Sequence, residues 1–152
     1  MLEIKMKVEG LEEIKEGVRK FPVQGLNEIG NALKKSVLQV QNEAMKRAPV
    51  NKSFGGGNLR QSIKTRFGRL WGEVYSGAKY AVYVHEGTRP HVIEVVNKKV
   101  LANSRTGQFF GRKVNHPGTL ANPFLLKAVQ ACKDKIQDNF TKAFQNILNL
   151  LK

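Results

Sequence analysis

The chain has 152 residues, of which 41% are apolar, enough for one core of ordinary domain size. Twenty-six Lys and Arg against twelve Asp and Glu give a formal net charge of +14. No apolar run reaches the ~18 residues of a membrane span, the single Cys132 excludes a disulfide framework or a Cys-rich zinc module, and the alternating start Met1-Leu2-Glu3-Ile4-Lys5 does not read as a signal peptide.

Leu2, Ile4, Met6 and Val8 alternate with Glu3, Lys5 and Lys7, which predicts a strand with one buried face. Gly10 ends it. Leu11, Ile14 and Val18 predict a short helix over 11–20, terminated at Phe21-Pro22. Leu26, Ile29, Leu33, Val37, Val40 and Ala44 recur every three or four residues and predict a long helix over 23–48, stopped at Ala48-Pro49. Residues 50–58 read as a loop, with 53–58 its flexible glycine stretch.

Residues 59–67 are expected to run into a strand, with Ile63, Thr65 and Phe67 on one face. Gly68-Arg69 supplies a hairpin turn into a strand over 70–76, with Trp71 in the core. Residues 79–86 fit either a short helix or a strand. Strands are expected at 91–97, 99–104 and 108–115, with turns at Asn97-Lys98 and Thr106-Gly107. Asn122 as a cap and Pro123 in the first turn open a last helix over 123–151. Its apolar stripe is Leu125, Val129, Cys132, Ile136, Phe140, Ala143, Ile147 and Leu151. Strands clustered between helices define an α+β class: one domain, a mostly antiparallel sheet, and two long helices packed against it.

The charge is localised. Residues 1–43 are neutral, 134–152 carry +1, and 44–133 carry +13. Such a field attracts polyanions such as double-stranded DNA; the same charges also serve as a solvated face or meet an acidic partner. Paired-carboxylate and two-metal chemistry need several acids close together, and the basic middle holds only Glu73, Glu86 and Glu94. His85, His91 and His116 lack metal-ligand spacing and read as structural. Cys132 falls on an apolar helical stripe, a place for an inert core thiol. The glycine run 55–57 follows a helix and lacks the Gly-Lys-Ser/Thr of a phosphate cradle. Tyr75, Tyr80 and Tyr83 near Arg66, Arg69 and Lys79 suit either core positions or stacking on a single strand.

Six phrases occur in a specific order: Arg47-Ala48-Pro49-Val50, Asn58-Leu59-Arg60-Gln61-Ser62-Ile63, Tyr80-Ala81-Val82-Tyr83-Val84-His85-Glu86-Gly87-Thr88, Arg89-Pro90-His91-Val92-Ile93, His116-Pro117-Gly118-Thr119 and Asn122-Pro123-Phe124-Leu125. The set resembles the tail-component family of long-tailed double-stranded DNA phages and is similar to the minor tail protein Z group. A longer glycine loop, Asn51 to Gly57, replaces the family's Asp-Thr-Gly, and His85-Glu86 replaces its usual Glu-Phe before Gly-Thr.

The resemblance implies a non-enzymatic virion assembly protein, needing no cofactor and no membrane. It would act at the neck or head-proximal end of a tail, in tail completion or head–tail joining, after assembly in the host bacterial cytoplasm. Implied partners are other neck and tail proteins, further copies of the chain in a ring, and packaged DNA on the axis. Lys52, Arg60, Lys64, Arg66, Arg69 and Arg89 are the candidates for DNA-facing charge. Phe54, Gly55, Gly56, Gly57, His85, Glu86 and His91 are the candidates for assembly contacts. The alternative is a non-specific double-stranded DNA-binding protein.

Overall fold

Gly72 decides how the first long helix meets the sheet, because a Cβ there would lie 2.6 Å from Val37 Cγ2. The computed structural model describes residues 2–7, 23–50, 56–96, 99–102 and 106–150. The expected helix over 11–20, residues 51–55 and the turn Asn97-Lys98 lie outside them. The chain divides into two compact units, Met1–Ala81 with Pro123–Lys152, and Val82–Asn122.

In the first unit, strands β1 (Leu2–Lys7), β2 (Ile63–Phe67) and β3 (Trp71–Ser76) form an antiparallel sheet of order β1-β3-β2. The hairpin at Gly68-Arg69 is closed by the Gly68 N–H donating to the Trp71 carbonyl at 2.9 Å. Period two sends Gly72, Val74 and Ser76 of β3 to the buried side. The other side carries cross-strand rows, Lys5 opposite Glu73 opposite Arg66, and Glu3 opposite Tyr75 opposite Lys64.

Helix α1 (Val23–Arg47) lies on the buried side of this sheet. Gln41 Nε2 donates to the Ile63 carbonyl at 3.0 Å, which fixes the helix against β2. The helix ends with Lys46 and Arg47 in its last turn, where cations suit the dipole, and Arg47 pairs with Glu43 at 2.8 Å. Helix α4 (Phe124–Leu150) packs on α1, and α1 is its main packing partner. Both α1–α4 hydrogen-bond levels, Asn139 with Ser36 and Asn146 with Glu28, make the pair antiparallel. Helix α1 therefore has two covered faces, and Ile29, Ala32, Leu33, Val37, Val40 and Ala44 are all buried.

The α+β class with antiparallel sheets and two long helices holds. Four local expectations are corrected. Residues 58–61 form a one-turn helix, α2 (Asn58–Gln61), before β2 begins; Leu59 is buried and Ser62 Oγ donates to the Leu59 carbonyl at 2.7 Å, so the chain turns instead of extending. Trp71 is 41% exposed, because it sits on the outer side of β3. The last helix starts at Phe124, and Pro123 takes the cap position, its carbonyl accepting from Lys127 N–H at 2.9 Å. In α4, Ala128 and Asn139 are buried while Val129, Ile136 and Phe140 are only half-buried, so the buried stripe is rotated from the sequence pattern.

The second unit begins within helix α3 (Ala81–Glu86), which resolves the open choice at 79–86. Strands β4 (His91–Glu94) and β7 (Lys113–His116) pair antiparallel, as do β5 (Leu101–Ala102) and β6 (Phe109–Gly111). The strands are shorter than expected, and Gly111 (φ 84°) followed by Arg112 divides 108–115 into two.

Candidate functional site

The described residues among those expected to face DNA fall in both units. Lys52, Phe54 and Gly55 lie outside the described residues. Arg60 is exposed on α2, Lys64 and Arg66 share the outer side of β2, and Arg69 is exposed in the β2–β3 turn. Arg89 belongs to the second unit.

Arg66 is committed within the protein. Its guanidinium lies 3.2 Å from Glu73 Oε1 and 4.2 Å above the Tyr75 ring. The Tyr75 side chain, with Glu73 and Glu3 behind it, holds its pKa above the ordinary value. Glu73 is 2% exposed and also meets Lys5 Nζ at 3.9 Å. This row of opposite charges ties three strands together across the outer side of the sheet.

Gly57 has a left-handed backbone (φ 103°) and stands before α2, while Gly56 is exposed. Gly57 thus takes the cap position of α2. His85 and Glu86 close α3. Burial pushes the His85 pKa down, and the neighbouring Glu86 carboxylate opposes that. His91 faces His116 across β4 and β7, with ring centroids 4.9 Å apart. His91 Nδ1–H donates to the Arg89 carbonyl at 2.9 Å, and His116 Nδ1 accepts from Gly118 N–H at 3.1 Å. These bonds give both rings turn-closing roles. Among the described residues, no group of three or more His, Cys, Asp or Glu is placed to hold a metal ion.

The base of the second unit is a reciprocal backbone clamp. Thr88 N–H donates to the Thr119 carbonyl at 2.9 Å, and Thr119 N–H returns the bond to Thr88 at 3.1 Å. Each threonine follows a glycine of positive φ, Gly87 (77°) and Gly118 (87°). A Cβ on Gly87 would sit 2.5 Å from the Thr119 carbonyl oxygen, and one on Gly118 would meet the Thr88 carbonyl oxygen. The sequence carried a signal for this clamp: His85-Glu86-Gly87-Thr88 and His116-Pro117-Gly118-Thr119 share the pattern His-x-Gly-Thr.

Beyond the clamp, none of the described residues of Val82–Asn122 is buried. Phe109 is 73% exposed, Val96 89% and Leu120 94%. Sequence reading placed strands here but gave them no buried or exposed face, so this surface went unread. The described residues of this unit, whose short β-ribbons are here called the arm, have no buried core of their own. No helix of the described residues is long and apolar enough to cross a membrane.

The described residues thus comprise a helix–sheet unit and a unit of short ribbons that exposes apolar side chains. The family described as "Bacteriophage HK97-gp10, putative tail-component" matches residues 11–87, just over half of the chain, and the chain belongs to that phage tail-component family. The match covers α1, the sheet hairpin, α3 and the first clamp glycine. No curated protein and no solved structure matches the chain.

Proposed function

We propose that this protein is a structural assembly component acting at the neck or head-proximal end of a phage or prophage tail, in tail completion or head–tail joining. It works through contacts with other neck and tail proteins and with further copies of itself in a ring. One observation carries this reading: residues 82–122 expose Val96, Phe109 and Leu120 and bury none of their described side chains. Two-stranded ribbons are marginal alone in water, and exposed apolar patches of this kind mark interaction sites. A partner surface that covers these side chains in the virion stabilises the arm and joins the particle.

The test is electron microscopy of lysates from a phage with an early nonsense codon in this gene. Filled heads beside unattached tails, or tails with abnormal ends, are expected. Complete infectious particles refute the reading. Complementation with Phe109→Asp/Phe110→Asp is expected to give folded protein absent from purified tails.

A second reading is favoured by the exposed Arg60, Lys64, Arg69 and Arg89 in the +13 middle of the chain. These cations contact the phosphates of double-stranded DNA, in the particle axis or as a free DNA-binding protein. Gel shifts in a salt series separate the two. Tight binding by the isolated protein with a steep salt slope supports the free DNA-binding protein.

A further inference from the structure

In the first unit, a groove of about 410 Å³ lies between one side of α1 and the β2–β3 turn, a volume within the usual range of ligand sites. Helical spacing puts Asn27, Asn31 and Lys34 on one stripe of α1, and the turn brings Phe67, Arg69 and Trp71 opposite them. Gly30 lies on the same stripe; its missing side chain keeps the groove open, since a Cβ there would already touch the Arg69 carbonyl oxygen at 3.6 Å. The Trp71 indole lies across Gly68, in space that a Cβ on Gly68 would occupy. Phe67 is 39% exposed and Trp71 41%, and both border the cleft, Trp71 where its indole reaches the turn.

The polar groups of the groove are one-sided. Lys34 and Arg69 make no ion pair with a described residue, and no described acidic residue lines the cleft. The asparagine amides supply both donors and acceptors at the pitch of a helix turn. We propose that this groove docks an acidic peptide segment of a protein partner. An aromatic or aliphatic side chain of that segment lies against Phe67 and Trp71. Flanking carboxylates meet Lys34 and Arg69, and the peptide backbone bonds to Asn27 and Asn31.

A nucleic acid strand suits the groove less well. Strand-tracking sites need a long run of cations along the backbone, and here there are two. Duplex DNA presents a convex surface, which protruding cations reach and a cleft of this size does not. The proposal concerns the first unit and stands whether or not the arm is an assembly contact.

Trp71 is the only tryptophan, so its emission reports on the groove directly. The probe is acetyl-Asp-Glu-Phe-Glu-Asp-amide, titrated into the full-length protein. A saturable change in Trp71 emission with Kd below about 1 mM is expected. Replacing Phe by Gly in the probe should weaken binding by about tenfold or more. Lys34→Glu/Arg69→Glu should weaken binding to a similar degree, and Gly30→Leu should occlude the cleft. The charge-matched control Lys133→Glu/Lys142→Glu, on α4, should bind as the wild type does. Circular dichroism melts check that each variant folds, and the probe substitution needs no variant. Four outcomes overturn the proposal: no saturable change, equal binding of the Gly probe, equal loss in the α4 control, or a saturable response to a ten-nucleotide oligo(dT) in place of the peptide.

Discussion

Val37 of α1 and Gly72 of β3 are packed so closely that a single methyl group on Gly72 would lie 2.6 Å from Val37 Cγ2. Val37 is fully buried, so it has no free space to retreat into. Gly72→Ala should therefore destabilise the protein by about 1–3 kcal/mol, the usual cost of overpacking. Val37→Ala alone should also destabilise, by leaving a cavity. The double variant should be more stable than the sum of the two losses predicts, because each change removes the other's fault. Denaturant melts of the four proteins measure the coupling, and strict additivity would contradict the contact.

The Gly87 and Gly118 clamp makes a second, sharper claim. Both backbones have positive φ, and both missing side chains face a carbonyl oxygen of the opposite segment. Gly118→Ala therefore meets backbone strain and a backbone clash together, at a cost of about 2 kcal/mol or more. The loss should be confined to residues 82–122. Hydrogen exchange should show faster exchange at the Thr88 and Thr119 amides while the Val37 and Val40 amides stay protected. Unchanged exchange at Thr88 and Thr119 would show that the clamp does not hold the arm's base.

The long helices, the β2–β3 hairpin and the class of fold were legible because they depend on local patterns. Period-three-to-four spacing marks α1 and α4, and Ala48-Pro49 stops α1 whatever surrounds it. What surrounds an element was not legible. Phe109 and Val96 have strand-forming side chains, yet no described part of the second unit covers them. Trp71 has the same β propensity as Val74, but period two places it on the opposite side of β3. Asn139 was invisible for a different reason: its burial is made possible by Ser36 and Gln39, about one hundred residues away in sequence. The clamp was half legible, since each glycine–threonine pair reads as a turn and only the fold brings the two pairs together.

Asn139 gives a third prediction. It is 8% exposed and donates to Ser36 Oγ at 3.0 Å and to Gln39 Oε1 at 2.8 Å. Ser36 in turn donates to the Ala32 carbonyl at 2.8 Å. Asn139→Ala leaves Ser36 Oγ without its donor and should cost about 1–3 kcal/mol. Asn139→Asp should be worse, because a carboxylate has no N–H to give and faces the Gln39 carbonyl oxygen. Asn139→Leu with Ser36→Ala removes both partners and should recover most of the loss. Thermal melts rank the three, and a harmless Asn139→Asp would refute the donor assignment.

Cys132 should be chemically silent in the folded protein. It is buried in α4, burial pushes the thiol pKa up, Glu43 adds to the rise, and Lys135, Arg47 and Lys46 oppose it. Less thiolate and no access both slow disulfide exchange. Its reaction with an aromatic disulfide reagent should be about tenfold or more slower in buffer than in denaturant. Equal rates would mean that α4 opens readily from α1.

His85 links stability to pH. Its folded-state pKa is lowered by burial from the ordinary 6.5, with Glu86 in partial opposition. Above that ordinary value the ring is neutral in both folded and unfolded chains, and the group favours neither. As pH falls through it, the unfolded chain takes up a proton that the folded chain resists. Stability is therefore lost between the unfolded value and the lower folded one, and the loss is complete below the latter. Substituting His85→Gln removes this proton uptake. The wild type should lose stability relative to the variant as pH drops below 6.5, while their difference stays constant above it. Urea melts of both proteins in that acidic window and above it measure the slope. A wild type that instead gains on the variant on acidification would mean that Glu86, not burial, governs the ring.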